Sequence, residues 1–421
     1  MKVLGIIVEY NPFHNGHLYH LKESIKLSGA DKVICVMSGN FIQRGEPAII
    51  NKWARTKMAL SAGIDLVIEL PTVYAMASAE YFAFGAVKLL DSLGIVDYLC
   101  FGSECGNIHA LDRIAEVLSD EPLDYKGFLK QNLSKGLSYA RCRELALVQY
   151  FNEITIPSSE TSALLNNSNN ILGIEYLKAL KRIKSDILPL TITRKNNDYN
   201  SLLLSGSISS ATAIRKSIFD NELQMQDNEL VNSLPDFSLS TIKDEFTNGR
   251  GPIYPEKFSN IILSIIRSSS REHLKSLPYV SEGIENRIKV AAENSGTLEE
   301  LISNIVTKRY TKTRIQRILF SLATGMSSSE FDSFNKHGGP QYIRVLGFSK
   351  KGQDMLSKTK KATTIPIIMK TADFKRSCNP LLRRMLEIEA HATDIYVLGY
   401  DNPKFKKAGQ EFTLLSRGRF L

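Results

Sequence analysis

Residues 3–28, VLGIIVEYNPFHNGHLYHLKESIKLS, decide the fold, because an apolar run passes through a histidine-rich turn into a helical pattern. Val3–Tyr10 is rich in β-branched side chains and predicts a buried strand. His17–Ser28 predicts a helix, and Gly16 separates His14 from His17 at the turn. Three histidines therefore fall where a first strand gives way to a first helix, His20 being the third.

The same alternation of strand and helix patterns continues along the N-terminal half. Further strands are predicted at 32–39, 65–71, 98–104 and 188–194, and further helices at 51–63, 74–93, 108–118, 171–183 and 209–219. Continuous apolar strands separated by single helices are typical of a parallel sheet with helices on both faces. The sequence therefore predicts an α/β fold with a Rossmann-like parallel sheet.

Two parts of the chain depart from this alternation of strands and helices. Residues 120–165 carry short helical patterns and are predicted to be an insertion near the site. Residues 221–421 are predicted to be mostly helical, with a small α/β element built from YIRVLGFS, TTIPIIMK and TDIYVLGY. We therefore predict a nucleotide-binding catalytic domain over 1–220 and a second, basic region over 221–421.

The composition excludes several classes of protein. An apolar content of 43% and a charged content of 23% are typical of a soluble globular protein. The first apolar run has only about seven residues and ends at Glu9, which does not suit a signal peptide. No run approaches the ~18 apolar residues of a membrane span. The five cysteines lack CxxC spacing, so we expect free thiols in a reducing cytoplasm.

The HNGH turn has the properties of a phosphate-handling site. Ligands of open parallel sheets bind beyond the carboxyl ends of the strands, and HNGH, MSGNFIQRGEP, FGSE and TITR all follow predicted strands. Gly16 allows close approach of a ligand, while the helix N-terminus and the imidazole N–H groups of His14 and His17 favour anionic charge. Metal binding is the alternative, but no carboxylate or cysteine stands at ligand spacing. His20 is predicted either to pack or to support the site through its neighbours, and not to be catalytic.

A second phosphate motif is predicted in SSATAIR, residues 209–215. Ser209 or Ser210 would cap the helix. Ser210 and Thr212 would bind phosphate, and Arg215 would reach it as a fork of donors. An ordinary capped helix with a surface arginine is the alternative.

The charge of the chain is unevenly distributed. The net charge is +9, yet residues 301–384 alone hold 17 lysine and arginine residues against four aspartate and glutamate residues. Such a block implies a polyanionic partner, for which nucleic acid is the leading candidate. Aromatic residues such as Tyr310 lie among the basic ones, which suits RNA. The candidate contact residues are Lys308, Arg309, Lys312, Arg314, Arg317, Lys350, Lys351, Lys358, Lys360 and Lys361.

These motifs together resemble one family. A strand, HxGH and a distant S-[ST]-x-[ST]-x-I-R helix start resemble the nucleotidyltransferase superfamily. The longer blocks GIIVEYNPFHNGHLYH, VMSGNFIQRGEPAIINKWARTKMAL, DLVIELP, FGSE, NNILG and IRVLGFSKKG resemble the bacterial tRNA(Met) cytidine acetate ligase family. The chain departs slightly from the family pattern, since it reads SNNILG where PNNILG is expected and SSATAIR lacks consecutive Ser-Thr.

The resemblance implies a reaction and its substrates. ATP and acetate would give acetyl-adenylate, with Mg²⁺ bridging the phosphates. The acetyl group would pass to N4 of the wobble cytidine of elongator methionine tRNA, with no membrane involved. Catalysis would rest on His14, His17, Ser210, Thr212 and Arg215. The implied ATP-binding residues are Ile7, Val8, Glu9, Tyr10, Asn11, Pro12, Phe13, His14, Asn15, Gly16, His17, Leu18, Tyr19, His20, Gly102, Asn169 and Arg194.

Two questions stay open at this point. Lys52 and Arg55 either contact phosphate or tRNA, or form a solvated helix face. A small-molecule adenylyltransferase, in which AMP stays on the product, is the alternative function, and a catalytically silent RNA-binding protein is a third. The basic C-terminal region argues against the adenylyltransferase, and the presence of the HNGH and SSATAIR motifs argues against the silent RNA-binding protein.

Overall fold

The computed structural model describes residues 1–137, 139–154, 158–194, 209–220, 228–370 and 377–413. In these ranges the strands are β1 (Val3–Val8), β2 (Lys32–Ser38), β3 (Phe41–Ile42), β4 (Glu46–Pro47), β5 (Leu66–Leu70), β6 (Tyr98–Ser103), β7 (Leu188–Thr193), β8 (Ile343–Phe348) and β9 (Ile367–Ile368).

The helices surround these strands. They are α1 (Asn15–Ser28), α2 (Lys52–Ser61), α3 (Thr72–Ala75), α4 (Ala79–Ser92), α5 (Ile108–Asp120), α6 (Leu123–Leu133), α7 (Tyr139–Ile154), α8 (Ser158–Leu165), α9 (Ser168–Ile183), α10 (Ala211–Asp220), α11 (Asn228–Asn232), α12 (Asp236–Thr247), α13 (Ser259–Ser268), α14 (Arg271–Lys275), α15 (Ile284–Glu293), α16 (Leu298–Ile305), α17 (Lys312–Ala323), α18 (Ser328–Lys336), α19 (Lys350–Ala362), α20 (Pro380–Val397) and α21 (Gln410–Thr413). Pro255–Phe258 and Pro403–Phe405 form 3₁₀ turns.

The main sheet has the strand order β7-β6-β1-β2-β5-β8-β9, counted over the described residues. The chain runs outward from β1 through β2 to β5, and then returns to place β6 and β7 on the other side of β1. These five strands are parallel, so their carboxyl ends share one edge. The order reverses between β1 and β6, which is where ligands of open α/β sheets bind. The predicted α/β fold with a parallel sheet is confirmed.

The C-terminal strands differ from the prediction of a separate α/β element. β8 pairs antiparallel with β5, and β9 pairs with β8, so both extend the N-terminal sheet. A division of function between residues 1–220 and 221–421 stays a prediction, but the sheet crosses that boundary. Helices α6, α7 and α8 occupy the region predicted to be an insertion.

The strand predicted in TDIYVLGY is wrong, because the segment up to Val397 continues α20. Asn379 caps this helix through its side-chain oxygen, and Pro380 occupies the first turn. The buried residues Glu389, Thr393 and Tyr396 recur at helical spacing. Isoleucine, tyrosine and valine favour strands locally, but packing against neighbouring elements decides the outcome.

A second apolar core lies among the helices of the C-terminal half. Side chains of α13, α15, α16 and α17 pack with the end of α20, and Phe41 of β3 joins them. Phe41 lies 5.7 Å from Phe320 and 6.0 Å from Tyr396, measured between ring centroids. The turn after β2 is therefore clamped by the helical half of the chain.

A buried charge cluster joins the two halves. The ammonium group of Lys52 lies 2.6 Å from Glu69, 3.1 Å from Glu389 and 2.7 Å from Glu411, and all four side chains are at most 1% exposed. Arg344 of β8 adds a contact to Glu411 at 3.3 Å. Burial lowers the pKa of Lys52, but the three carboxylates outweigh burial and raise it above its ordinary value. Lys52 therefore stays charged and ties α2 to α20 and α21.

The described residues contain no helix that is both long and apolar enough to cross a membrane. All five cysteines are free thiols, as expected.

Removing the buried cation should destabilise the fold strongly. Lys52→Met leaves three carboxylates without their shared partner, and loss of one member of a buried pair typically costs about 3–5 kcal/mol. The free energy of unfolding in urea measures this. Lys126→Met is the matched control, because Lys126 meets Glu121 at 3.6 Å on the surface and such pairs contribute less than about 1 kcal/mol. Equal losses in the two variants would contradict the structural role of Lys52.

Candidate active site

A cavity lies at the carboxyl ends of β7, β6, β1 and β2, over the point where the strand order reverses. All five predicted catalytic residues line it: His14, His17, Ser210, Thr212 and Arg215. It is also lined by the following members of the predicted ATP-binding set: Ile7, Val8, Glu9, Tyr10, Asn11, Gly16, Tyr19, His20, Gly102, Asn169 and Arg194. Motifs that lie about 200 residues apart in sequence thus meet at one edge of the sheet.

The remaining members of the predicted set support the turn from behind. Phe13 is fully buried and packs 5.5 Å from Phe237, between ring centroids. The backbone N–H of Asn15 donates to the carbonyl of Ser233 at 3.1 Å. Leu18 packs against the core, and Pro12 lies between Asn11 and Phe13 in the turn. These contacts fix where the two histidines of the motif stand.

The two histidines cap the helix that they begin. His14 is the N-cap of α1 and accepts the N–H of Gly16 on Nδ1 at 3.0 Å, while Nδ1 of His17 accepts the N–H of His14 at 3.3 Å. Their ring centroids are 3.8 Å apart. Because both Nδ1 atoms accept, the neutral rings carry their proton on Nε2. Each imidazole therefore presents an N–H donor.

The electrostatics keep both rings neutral before a ligand arrives. Burial, with help from Arg194 and Arg215, lowers the pKa of His14 to about 3. Burial and the neighbouring His14 lower the pKa of His17 well below its ordinary value. Burial and Arg194 also lower the pKa of His20 to about 4. A bound anion would oppose these shifts, because it stabilises the protonated ring.

The SSATAIR segment supplies the second wall. Ser210 accepts the N–H of Ala213 on its hydroxyl at 3.0 Å, which caps α10 as predicted. Arg215 donates to the carbonyl of Asn11 at 2.8 Å and lies 3.4 Å from the hydroxyl of Thr212. The arginine is therefore half-buried against the turn that follows β1, and its contact with phosphate stays a prediction. Its guanidinium and the N-terminus of α10 both favour an anion.

FGSE and NNILG bind each other across the β6–β7 side of the cavity. Glu104 accepts the side-chain amide of Asn169 at 2.6 Å and the backbone N–H of Asn170 at 2.9 Å. In return Asn170 accepts the N–H groups of Glu104 and Cys105. This reciprocal contact fixes Asn169 beside Arg194, whose guanidinium reaches its oxygen at 3.5 Å.

Gly102 forms the floor beneath these residues. A Cβ atom on Gly102 would stand 3.3 Å from the side chain of Arg194 and 3.7 Å from the ring of His20. The missing side chain therefore lets Arg194 and His20 approach β6 closely at this point.

The sequence predicts that the turn after β2 lies at the site, but it does not predict the structure of the turn. Phe41–Ile42 and Glu46–Pro47 form a small hairpin, closed by Gly45 with a φ of 73°. Gln43 and Arg44 at its tip line the cavity, as do the apolar residues Phe82, Phe101, Leu172, Tyr176 and Ile192. In FIQRGEP, a short loop that contains a glycine separates two pairs of strand residues, and this pattern is a recognisable hairpin signal. The apolar wall has no local signal, since it comes from four separate elements.

Both interpretations of Lys52 and Arg55 are wrong, because neither side chain contacts solvent. Lys52 belongs to the buried charge cluster. Arg55 is fully buried and donates to the backbone carbonyls of Glu9 at 2.7 Å, Ser38 at 3.0 Å and Ile50 at 3.1 Å, and also to that of Gly39. Arg55 thus holds the carboxyl ends of β1 and β2 in place.

The predicted basic contact residues lie outside the cavity, in two separate places. Lys308, Arg309 and Lys312 are exposed near α17, which packs behind the hairpin; Arg317 there donates to the carbonyl of Gln43 at 3.0 Å. Arg309 pairs with Glu282 at 2.8 Å, and Arg314 donates to the carbonyl of Tyr279.

The second basic place is the exposed face of α19. It carries Lys350, Lys351, Lys358, Lys360 and Lys361. Its first turn contacts Lys32 and Asp65, which lie at the amino ends of β2 and β5. The two basic places are therefore at opposite edges of the sheet, about 20 Å apart along the strands.

Known proteins resemble this chain over almost its whole length. The family model described as HIGH Nucleotidyl Transferase matches residues 1–411. The chain is 58% identical over 413 residues to a tRNA(Met) cytidine acetate ligase of Acetivibrio thermocellus, covering 98% of this chain and 99% of that protein. A tRNA(Met) cytidine acetate ligase of Caldanaerobacter subterraneus is 51% identical over 402 residues and covers 96% of each chain. The chain belongs to the tRNA(Met) cytidine acetate ligase family.

Solved structures of the family share the fold throughout. The apo crystal structure of Thermotoga maritima TmcAL (form I) is 36% identical, with a TM-score of 0.95 and full coverage of both chains. The crystal structure of the same protein bound with alpha-thio ATP (form II) gives a TM-score of 0.93, again at 36% identity and full coverage. The resemblance deduced from the motif blocks is confirmed.

The lowered pKa of His14 should make stability depend on pH. The unfolded chain binds a proton at about pH 6.5 and the folded chain only at about pH 3. The free energy of unfolding should therefore fall as the pH drops from 6.5 toward 3, by about 2 kcal/mol from His14 between pH 7 and pH 5. His14→Asn keeps an N-cap acceptor and should lose this part of the slope. Parallel curves for the two proteins in urea would contradict the assignment.

Proposed function

We propose that this chain is an ATP-dependent ligase that acetylates N4 of the wobble cytidine of elongator methionine tRNA. Acetate would attack the α-phosphate of ATP, giving acetyl-adenylate and pyrophosphate, and the cytidine amine would then take the acetyl group. The observation that carries this proposal is the meeting of HNGH, SSATAIR, FGSE and NNILG around one cationic cavity in a chain of this family. We place the reaction in the cytoplasm, with tRNA.

The cavity charges suit adenylate formation. Arg44, Arg194 and Arg215 line it together with neutral His14 and His17, so a polyphosphate would meet cations and N–H donors. The Nε2–H groups of the two histidines would stabilise charge that grows on the α-phosphate as acetate attacks. Ser210, Thr212 and the N-terminus of α10 would hold the leaving pyrophosphate. No covalent enzyme intermediate is required.

The nucleotide and Mg²⁺ would occupy the cavity together. ATP would place its base and ribose beside Gly102, Asn169 and Arg194, and its phosphates beside the histidines. Within the described ranges no group of three histidine, cysteine or acidic side chains is arranged to hold a metal ion. Mg²⁺ keeps several waters and is often held largely by substrate phosphates. It would therefore enter as the metal complex of ATP and neutralise phosphate charge there.

The tRNA would approach along the hairpin side. Lys308 and Lys312 are exposed beside α17, and α17 contacts the hairpin that lines the cavity. Arg309, Arg314 and Tyr310 would extend this surface, and Lys350 and Lys351 at the far edge would contact only a partner that spans the sheet. A tRNA is large enough to contact both places.

One pair of assays tests the proposal. Acetate-dependent exchange of pyrophosphate into ATP reports adenylate formation, and mass spectrometry of nucleosides from methionine tRNA reports N4-acetylcytidine. We expect exchange with acetate and product only when tRNA is present. If AMP remained attached to a small product and no acetylcytidine formed, the chain would be an adenylyltransferase instead.

His17 should be needed for the first half-reaction. Loss of one such donor typically reduces the rate about 100- to 1,000-fold. We expect this loss of exchange in both His17→Gln and His17→Ala. Gln keeps an acceptor for the N–H of His14 at the capping position, so only the Ala variant should also be less stable to heat. A parallel loss of tRNA binding would show instead that His17 is structural.

The lysines beside the hairpin should contribute to tRNA binding. Replacing Lys308 and Lys312 together by Ala should weaken binding about tenfold and reduce the slope of log affinity against log salt by about 2. The comparison is Lys350 and Lys351 replaced together, which lie at the opposite edge and should have a smaller effect. Filter binding across a salt series measures both. A larger effect at the Lys350 pair would move the main tRNA surface to α19.

A further inference from the structure

Glu9 is unusual among the residues around the cavity. The charged side chains that line the cavity are Arg44, Arg194, Arg215 and Glu9. A carboxylate beside a polyphosphate weakens nucleotide binding by repulsion. Its presence therefore points to a task other than holding phosphate.

One contact holds the Glu9 carboxylate toward the hairpin, and a second fixes the backbone of the same residue. Oε1 accepts the backbone N–H of Gln43 at 2.8 Å, and the backbone carbonyl accepts from Arg55 at 2.7 Å. Both partners belong to the segment that follows β2. Gly102 lies near the end of β6 and Arg194 directly follows β7, both on the other side of β1, so the bond to Gln43 holds the Glu9 carboxylate on the β2 side of its own strand.

Glu9 is both accessible from the cavity and chemically suited to accept a proton. Its side chain is half-buried and lines the cavity. Burial raises the pKa of its carboxyl, while the N–H of Gln43 and the charges of Arg215, Arg55 and Arg44 oppose that rise. A carboxylate with a raised pKa is a stronger base than one in water.

The two histidines of the motif are unsuited to the same task. Their Nδ1 lone pairs accept backbone N–H groups, and their Nε2 atoms carry protons. They can donate to an anion but have no lone pair to take a proton. His20 stands beside Gly102, on the nucleotide side.

We propose that Glu9 is the general base of the acetyl-transfer half-reaction, which rests on the proposed function. The N4 amine of cytosine attacks the carbonyl carbon of acetyl-adenylate. The bond from that carbon to the phosphate oxygen breaks, and AMP leaves with the electron pair. The proton that N4 loses passes to the Glu9 carboxylate and then to water. Adenylate formation uses the histidines as donors and needs no base, because acetate attacks as an anion.

The position of the hairpin supports this division. Gln43 holds Glu9, and Arg317 of α17 holds the carbonyl of Gln43 at 3.0 Å. Glu46 of the same hairpin accepts from Gln316 at 2.6 Å. The base therefore stands on the side of the cavity that faces the proposed tRNA surface, where the acceptor amine would enter.

Glu9→Gln is the deciding variant, because its side-chain oxygen still accepts the N–H of Gln43. Because Glu9 also belongs to the predicted ATP-binding set, we expect acetate-dependent exchange to fall, but by far less than the transfer step. Transfer of labelled acetate to tRNA in a single turnover should fall at least 100-fold, which is the lower range for removal of a general base. Glu9→Asp keeps a carboxylate and should recover part of the transfer rate. His17→Gln is the complementary control, because it should lose the exchange of pyrophosphate into ATP.

The pH profile gives a readout that a structural role would not change. The single-turnover transfer rate should rise with pH through the pKa of Glu9 in the unchanged protein, and this limb should be absent in Glu9→Gln.

Three results would overturn the assignment. Transfer by Glu9→Gln at the normal rate would show that another group takes the proton. A parallel loss of exchange and transfer in both Glu9 variants would show that Glu9 serves nucleotide binding or folding. If the unchanged protein made acetyl-adenylate but no acetylcytidine, the proposed function would fail, and the assignment with it.

Discussion

The guanidinium of Arg55 is the contact on which the geometry of the site depends. It is fully buried and binds the carbonyl oxygens of Glu9, Ser38, Gly39 and Ile50, which lie at or just beyond the carboxyl ends of β1 and β2 or at the start of α2. Buried carbonyls require partners, and arginine supplies five donors while staying charged. The histidine turn and the hairpin leave the sheet at these carbonyls. One side chain therefore fixes two walls of the cavity relative to each other.

The charges of the cavity separate two kinds of chemistry. His14 and His17 are neutral donors because burial, with help from nearby cations, lowers the pKa of both rings and because a backbone N–H occupies one nitrogen of each ring. Glu9 stays an acceptor because its partner is a backbone N–H. Their different environments make the histidines proton donors and Glu9 a proton acceptor, although all three lie near one turn, and acid–base sites depend on such differences. An enzyme that first forms an adenylate and then transfers its acyl group needs both roles side by side.

The sequence predicts those features whose cause is local. The strand-to-helix turn, the cap at Ser210 and the parallel strands all follow from patterns within about ten residues. Lys52 and Arg55 have the spacing of an exposed helix face, and only partners such as Glu389, over 300 residues away, reveal that they are buried. The helix at TDIYVLGY is likewise set by tertiary packing. The contact between Glu104 and Asn170 joins two motifs that the sequence shows only separately.

The helical half of the chain contacts the cavity through the hairpin. Arg317 of α17 donates to the carbonyl of Gln43, and the backbone N–H of Gln43 donates to the carboxylate of Glu9. A Cβ atom on Gly45 would stand 2.5 Å from the backbone nitrogen of Arg317, so the hairpin lies directly on this helix. A shift of α17 on contact with nucleic acid would reach Glu9 through one residue. The basic surface and the proposed base are therefore parts of one packed unit, so the proposed tRNA-binding half has a structural reason to be joined to the sheet.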